Sequence, residues 1–194
     1  MKLLPLACPE CREPIAADNL DVVVSCHKCP AHIQINDDGL QKLAASYIAP
    51  PGGDVSKARS WHPFWMFEAK VNLVERKTQG GRKRGKDAET LWGEARRFFI
   101  PAWDLSMARS RQLSTAFVQS RPQMQRLRES PPGASMTPAT MSADDAAKML
   151  EFIVLDIEAR RDDYLRHIHY DLTIVDGPHL VVLPGDGQNL FHRP

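Results

Sequence analysis

Four cysteines in two close pairs are the residues of this chain best suited to bind a metal ion. Cys8 and Cys11 form one C-x₂-C pair, and Cys26 and Cys29 form a second after fourteen intervening residues. Each pair lies on a tight turn that holds one edge of a tetrahedron, so the two turns together supply four ligands. Thiolates suit the borderline-soft character of zinc, and four of them leave no open position for water. The spacing therefore predicts one structural Zn²⁺ ion.

Other uses of these cysteines fit the pattern less well. We find no export signal, so we expect reduced thiols and a cytoplasmic protein, and we do not expect disulfides. A redox motif needs only one Cys-x-x-Cys pair, whereas this chain has two. Iron bound as in rubredoxin uses similar turns and stays open as an alternative. His27 and His32 lie nearby, but four cysteines already complete the coordination shell.

Residues 8–35 resemble the zinc ribbon superfamily, which is common in transcription, replication and translation proteins and in many small bacterial proteins. Family knuckles often have the form Cys-Pro-x-Cys-Gly, and here Arg12 and Pro30 stand in place of the glycine. Because Pro30 has no N–H to donate to a sulfur, we expect a less regular second knuckle. The phrases at 62–65 and 99–103 are similar to a loosely defined group of uncharacterised bacterial zinc-ribbon proteins, a resemblance that implies no established activity.

Local patterns divide the chain into three parts. Residues 21–25 and 32–36 predict a hairpin that leads into and out of the second cysteine pair, followed by a turn at Asp37-Asp38-Gly39. Residues Leu40 to Ile48 predict a short helix, and Pro50-Pro51-Gly52-Gly53 predicts a break. The predicted organisation is a zinc ribbon at 1–48, a linker at 49–60 and an α+β interaction domain at 61–194.

The third part alternates between strand and helix patterns. Strands are predicted near 61–74 and 97–103, a helix at 105–121, a second helix capped by Ser142, and a hairpin over 170–184 that turns at Asp176-Gly177. The predicted core positions of the two helices are Leu105, Met107, Leu113, Ala116 and Phe117, then Ala146, Met149, Leu150, Ile153, Val154 and Ile157. Glu151, Glu158, Arg161 and Asp162 are predicted on the solvent face. The fold class is therefore α+β, with about four strands and two helices after the ribbon.

Charge is distributed unevenly along the chain. Residues 49–141 carry 16 basic and 8 acidic side chains, whereas residues 142–194 carry 5 and 10. The basic residues include a predicted mobile loop, 76–86, in which Arg82, Lys83, Arg84 and Lys86 are candidate contacts to phosphates or to a partner. The plainer interpretation is a solvated loop, in a chain whose basic and acidic halves fold against each other.

Two other groups of residues are candidate sites. Aromatic side chains cluster on the two predicted strands, where a packed core is favoured over exposed stacking on bases or a partner. They are Trp61, Phe64, Trp65 and Phe67, with Trp92, Phe98, Phe99 and Trp103. Four histidines lie near the C-terminus, but no pair has the spacing of a known metal motif. They are His167, His169, His179 and His192.

These features together favour a non-enzymatic zinc-ribbon adaptor or accessory subunit of a larger protein assembly. No residues form a recognisable catalytic constellation, and no apolar run approaches the roughly 20 residues that span a bilayer. The alternative is a nucleic-acid-binding protein that uses the ribbon and the basic loop. An enzyme would become the better interpretation if a deep pocket held convergent polar residues. The sequence predicts neither the partner nor the oligomeric state.

Overall fold

The computed structural model describes residues 6–52, 55, 58, 60–79, 82–131 and 134–185, and only the backbone of residues 82–85. This part of the chain contains eight strands and three helices in two sheets, which confirms the α+β class. In order, the elements are β1 Val23–Ser25, β2 His32–Asn36, β3 Gly39–Leu43, β4 Ala45–Ala49, β5 Ser60–Thr78, α1 Arg82–Trp92, β6 Arg96–Pro101, α2 Met107–Ser120, β7 Gln125–Arg126, α3 Ala143–Ala159 and β8 Leu165–Gly185.

The smaller sheet is an antiparallel meander of β1, β2 and β3. The predicted hairpin around the second cysteine pair and the turn before Gly39 are confirmed. The predicted helix from Leu40 to Ile48 is wrong, because these residues form β3 and β4. β3 pairs along its length with β2, and this pairing decides the local structure where the intrinsic preference of the residues is weak.

The larger sheet has the strand order β6-β5-β8-β4-β7. β5 pairs antiparallel with both β6 and β8, as predicted for its pairing with β6, while β4 runs parallel to β8. Residues 45–49, which the predicted division places at the end of the ribbon and the start of the linker, therefore lie in the larger sheet. Only Ala44 separates β3 from β4, so the two sheets are joined by a very short connection.

The predicted C-terminal hairpin is wrong, because residues 165–185 form one long strand. β8 pairs with β5 on both sides of the expected turn, with Glu68 opposite Asp176 and Met66 opposite His179. The Asp176-Gly177 pair therefore forms an irregularity in a continuing strand. A turn signal in the sequence specifies a local backbone conformation, and here the long partner strand β5 keeps the chain running in one direction.

Helix α3 covers one face of the larger sheet, and all six of its predicted core positions are buried. Helix α2 packs along β6, and its Phe117 ring lies 4.7 Å from the Phe99 ring. Two of the predicted α2 core positions, Met107 and Ala116, are exposed instead. The packed-core interpretation of the aromatic residues is confirmed, since seven of the eight are at most 3% exposed. These seven are Trp61, Phe64, Trp65, Phe67, Trp92, Phe98 and Phe99.

Replacing Gly177 with alanine is expected to destabilise the fold more than the same change at Gly39. Both glycines have a positive φ, +104° and +121°, where a side chain costs about 1–3 kcal/mol. A Cβ at Gly177 would also lie 2.7 Å from the Met66 carbonyl oxygen, whereas a Cβ at Gly39 would meet nothing within 4 Å. Urea unfolding of both variants at saturating zinc measures the difference. Equal losses of stability would contradict this close approach of β8 to β5.

Candidate metal centre

The four cysteine sulfur atoms converge, with every pair of Sγ atoms within 4.8 Å. The Sγ atoms of Cys8 and Cys29 are 3.7 Å apart, and those of Cys11 and Cys26 are 3.6 Å apart. All four are free cysteines, so no disulfide competes for the sulfurs. A tetrahedral ion with metal–sulfur bonds of about 2.3 Å requires sulfur–sulfur distances of about 3.8 Å. The donor set and its spacing therefore fit one four-coordinate metal ion.

Both cysteine turns close with equivalent backbone hydrogen bonds. The Cys8 N–H donates to the Glu13 carbonyl at 2.8 Å, and the Cys26 N–H donates to the Ala31 carbonyl at 2.9 Å. In each turn the bond runs from the first cysteine to the residue five positions later. The two turns thus share this closing bond.

The second knuckle is less regular than the first, as expected: the Arg12 N–H donates to the Cys8 carbonyl at 2.9 Å, whereas Pro30, at the equivalent position, has no N–H to make that bond. Pro30 lacks an N–H, but the sulfur of Cys29 accepts a hydrogen bond from the N–H of Ala31, one residue further on. In the first knuckle, Arg12 adopts a left-handed φ of 65° at the position where the family often has glycine. A non-glycine residue can adopt this conformation at a modest cost, so the first turn keeps its shape without glycine.

The acid–base properties of the thiols are compatible with a cluster that binds a cation. Burial raises the pKa of Cys26, but N–H groups of Lys28 and Cys29 point at its sulfur, and the net pKa is about 6. At Cys29, the Ala31 N–H lowers the pKa, while burial and the neighbouring cysteines raise it to about 12. One thiolate therefore forms readily and disfavours the others nearby. Four thiolates can coexist at this distance only when a bound cation neutralises them.

The metal centre is attached to the larger sheet through β1. The Val22 N–H donates to the Ala139 carbonyl at 2.7 Å, and the Ala139 N–H donates to the Val23 carbonyl at 2.8 Å. Val23 is fully buried in the same apolar cluster as Trp65 and Leu150. Strand β1 thus has one residue in the main core, while the next, Val24, packs in the cluster that contains Cys8 and Cys26.

The structure divides the predicted basic loop between two elements. Arg76 lies on β5 with a side chain only 9% exposed, and Lys86 lies exposed on α1. The expectation of a mobile loop is wrong for residues 82–86, whose backbone is helical. The side chains of Arg82, Lys83 and Arg84 lie outside the described part of the chain, so their predicted contacts stay predictions.

The structure contains a buried ionic network around Arg76 that the sequence does not predict. Its Nε donates to Glu158 at 2.7 Å and its Nη1 donates to Asp163 at 2.5 Å, and both carboxylates are fully buried. Trp92 Nε1 and Arg161 Nε each donate to the second Glu158 oxygen at 2.8 Å. The prediction of Glu158 on the solvent face is therefore wrong. Its position four residues after the buried Val154 is a signal that places it at the border of the apolar stripe.

The histidines do not form a common site in the described part of the chain. His32 is 7% exposed, and its Nδ1 is 3.0 Å from the Ser25 hydroxyl, while burial lowers its pKa. His27 is exposed, 3.8 Å from a Glu13 oxygen. His167 pairs with Glu75 and His179 pairs with Asp176, on different stretches of β8. His192 lies outside the described residues.

One cavity of about 470 Å³ lies between β6, the end of α2 and the loop that follows. Phe99 and Phe117 contribute its apolar wall. Of its charged residues, Arg121 pairs with Glu94 at 3.4 Å and Arg97 with Glu68, outside the lining, at 3.6 Å, while Arg96 donates to the carbonyls of Leu91 and Thr90. The described lining contains no histidine, cysteine or serine, and its one carboxylate, Glu94, is paired, so it does not present a nucleophile beside a general base.

The chain was compared with protein-family models, with curated proteins and with solved structures, and none of them matches it. The likeness to zinc ribbons therefore rests on the cysteine spacing and on the observed sulfur cluster. No helix in the described ranges is long and apolar enough to cross a membrane.

Proposed function

We propose that the four cysteines hold one structural zinc ion and that the protein is a non-enzymatic adaptor or accessory subunit of a larger cytoplasmic assembly. The observation that carries the proposal is the convergence of four sulfur atoms at the spacing of a tetrahedral site. When four protein ligands fill the coordination shell, no position is left for water or substrate. The ion then supplies folding free energy to a small sheet that has few buried apolar residues of its own.

The position of the cysteine turns supports a role in recognition. Glu10, Arg12, His27 and Lys28 are exposed on these turns. The hydrogen bonds of Val22 and Val23 with Ala139 tie the strand that leads into the second turn to the segment before α3. A fixed polar surface binds a partner at a smaller entropic cost than a mobile loop does.

Affinity capture of the tagged full-length chain from cells, under native conditions and without chelators, tests the adaptor role. We expect one or a few proteins to copurify in stoichiometric amounts. Combined Arg12→Glu and Lys28→Glu changes should remove them and leave the zinc content at one ion per chain. Lys148→Glu, an exposed position on α3, is the matched control and should retain the partners.

Two results would count against the adaptor role. One is a chain that copurifies with no stoichiometric partner. The other is a set of partners that is the same for the turn variant and for the unchanged chain. Because the zinc content is measured on the same samples, failure of the adaptor role is distinguishable from failure of the metal site.

The nucleic-acid alternative predicts a salt-dependent interaction carried by the first turn of α1. Arg76 is engaged in buried ion pairs, so the remaining candidates are Arg82, Lys83, Arg84 and Lys86. Replacing residues 82–84 together with glutamine removes three cations. The slope of log K against log salt should become shallower by roughly 2–3, because each phosphate contact contributes about 0.7–0.9.

Fluorescence anisotropy with labelled RNA and DNA across a salt series measures this slope. The matched control replaces three scattered lysines with glutamine, Lys42, Lys70 and Lys148, and should leave the slope nearly unchanged. A chain that binds neither RNA nor DNA at low salt excludes the alternative.

A further inference from the structure

β5 and β8 continue past the ends of the strands that flank them in the larger sheet, and this two-stranded part is called the arm. β6 pairs with β5 only from Phe64 to Ala69, and β4 pairs with β8 only from Leu180 to Val182. The pairing of β5 with β8 nevertheless continues to Thr78 and Leu165. Among the described residues, the arm portion of β8 therefore has β5 on one side and no strand on the other. One row of its N–H and C=O groups has no ladder partner.

The open edge of β8 has definite limits. Arg166 and Val175 are extra residues in the register with β5, so each is a bulge on β8. Bulges disturb the ladder and stop further strands from pairing. Each residue between them, from His167 to Ile174, pairs with a residue of β5. The register shifts once within this stretch, at Val74, which is an extra residue on β5 opposite the step from Tyr170 to His169 and leaves no residue of β8 unpaired. This stretch contains neither lysine nor proline, the two residues that most often protect an edge.

The two faces of this stretch differ in chemistry. Ile168, Tyr170 and Leu172 are partly buried, and the Tyr170 hydroxyl donates to the Glu151 carbonyl of α3 at 3.3 Å. On the opposite face His169 and Asp171 are exposed. A strand added at this edge would therefore meet apolar side chains on the α3 side and charged or polar side chains on the solvent side.

We propose that the edge of β8 pairs antiparallel with the same edge of a second copy of this chain, about a two-fold axis at Tyr170. The two sheets then become one continuous sheet. This surface is separate from the cysteine turns, so the inference does not rest on the proposed function.

Strand geometry restricts where the axis can lie. Residues paired across an antiparallel ladder share the same face of the sheet and the same hydrogen-bonding direction. At the two-fold axis, one residue must therefore lie directly opposite the same residue of the second copy. An axis at Tyr170 or Asp171 uses most of the stretch between the two bulges. An axis at Asp171 places two identical carboxylates opposite each other, which is unfavourable.

The axis at Tyr170 gives complementary pairs. It places His169 opposite Asp171 of the second copy, and by symmetry this pair occurs twice. It also places Ile168 opposite Leu172, again twice, on the face that packs near α3. An imidazole opposite a carboxylate and an apolar residue opposite an apolar residue are both favourable cross-strand pairs. No like charges oppose each other in this register.

Sedimentation equilibrium of the zinc-loaded full chain tests the association, from about 1 µM to about 1 mM, a range that covers weak and moderate affinities. We expect a reversible monomer–dimer equilibrium. His169→Asp places carboxylates opposite each other twice and should weaken association at least about tenfold. Adding Asp171→Lys to that variant restores opposite charges and should recover most of the affinity. Gln119→Glu, an exposed position on α2, is the matched control and should have little effect.

Hydrogen exchange of the unchanged protein at low and high concentration locates the interface without a substitution. Amides of alternate residues between His167 and Thr173 should become protected at high concentration. A chain that is monomeric throughout the range overturns the proposal. So does a dimer that is insensitive to His169→Asp, that is not restored by the double change, or that protects amides only elsewhere.

Discussion

A Cys26→Ser chain is expected to lose its stoichiometric zinc, whereas the unchanged chain should carry one zinc ion per molecule. Cys26 is one of the four converging ligands, and the N–H groups of Lys28 and Cys29 that point at its sulfur lower its pKa and stabilise the thiolate. Serine does not ionise near neutral pH and supplies no comparable ligand. Elemental analysis by mass spectrometry measures the change and distinguishes zinc from iron.

Loss of the metal should unfold the smaller sheet and leave the larger one in place. Structural zinc contributes on the order of 10 kcal/mol of apparent binding free energy to small metal modules. The cluster around the cysteines has few other buried residues, with Ile15, Val24 and Ile33 among them. Amides of β1, β2 and β3 should therefore exchange quickly in the variant. Amides of β5 and β6 should stay protected, because their core includes Trp65 and Phe98.

His27→Gln is the matched control for this prediction. His27 lies between the two ligands of the second pair, but it is exposed and outside the coordination shell. Its replacement should leave the zinc content unchanged. An intact protein that contains neither zinc nor iron would show that the metal assignment is wrong. Unfolding of the whole chain upon loss of metal would show instead that the contact between Val23 and the main core is essential for the larger sheet.

The cysteine cluster is the feature that the sequence predicts best, because its signal is local. A C-x₂-C spacing fixes two ligands on one turn whatever surrounds it. The apolar face of α3 is predicted equally well, since its helical period repeats over six positions, all of which are buried. In both cases the residues that form the sequence pattern are the same residues that converge at the metal site or pack in the core.

The errors occur where pairing between strands decides the structure. The Asp176-Gly177 pair is a strong hairpin signal, but β5 continues past it and β8 pairs along β5 on both sides. Residues 40–48 have no strong period, and pairing with β2 and β8 makes them strands. The partners β5 and β8 lie far along the chain, whereas β2 directly precedes β3; in each case the structure depends on pairing that the residues of the segment do not themselves specify.

The buried ionic network was missed for a related reason. Glu158 and Arg76 are 82 residues apart in the sequence. Each, considered alone, is a charged residue of the kind expected on a solvated surface. Both charges can be buried because they pair with each other, and Trp92 also donates a hydrogen bond to Glu158. This network joins the far end of β5 to the end of α3, so it should contribute strongly to stability.

Replacing Arg76 with methionine is expected to destabilise the larger sheet by about 3–5 kcal/mol, the usual cost of removing one partner from a buried ion pair. Glu158 and Asp163 are both fully buried, so their carboxylates would be left without their strongest donor. Arg161 and Trp92 still donate to Glu158. Asp163 loses more, and we expect the end of α3 and the segment after it to loosen first. Urea unfolding and hydrogen exchange measure both effects.

Lys77→Met is the matched control on the neighbouring residue of β5. Lys77 is 67% exposed and pairs with Glu75 at 2.6 Å on the surface. Exposed pairs contribute about 0–1 kcal/mol, so the loss should be several times smaller. Arg76→Lys keeps the charge but loses the planar fork that reaches two carboxylates, and it should fall between the two methionine variants. If the two methionine variants lose the same stability, the network has no special contribution.

The pH dependence separates an electrostatic loss from a loss of packing. The hydrogen bond from Arg76 lowers the pKa of Asp163 below its ordinary value, although burial opposes this. The pair therefore stabilises the fold above the unfolded pKa of aspartate, about 3.9, and this contribution is lost as the pH falls through the lower folded pKa. The stability difference between the unchanged chain and Arg76→Met should be largest near neutral pH and should shrink below about pH 4. A difference that stays constant as the pH falls well below about 4 would mean that methionine disturbs the packing at Arg76 and that charge contributes little.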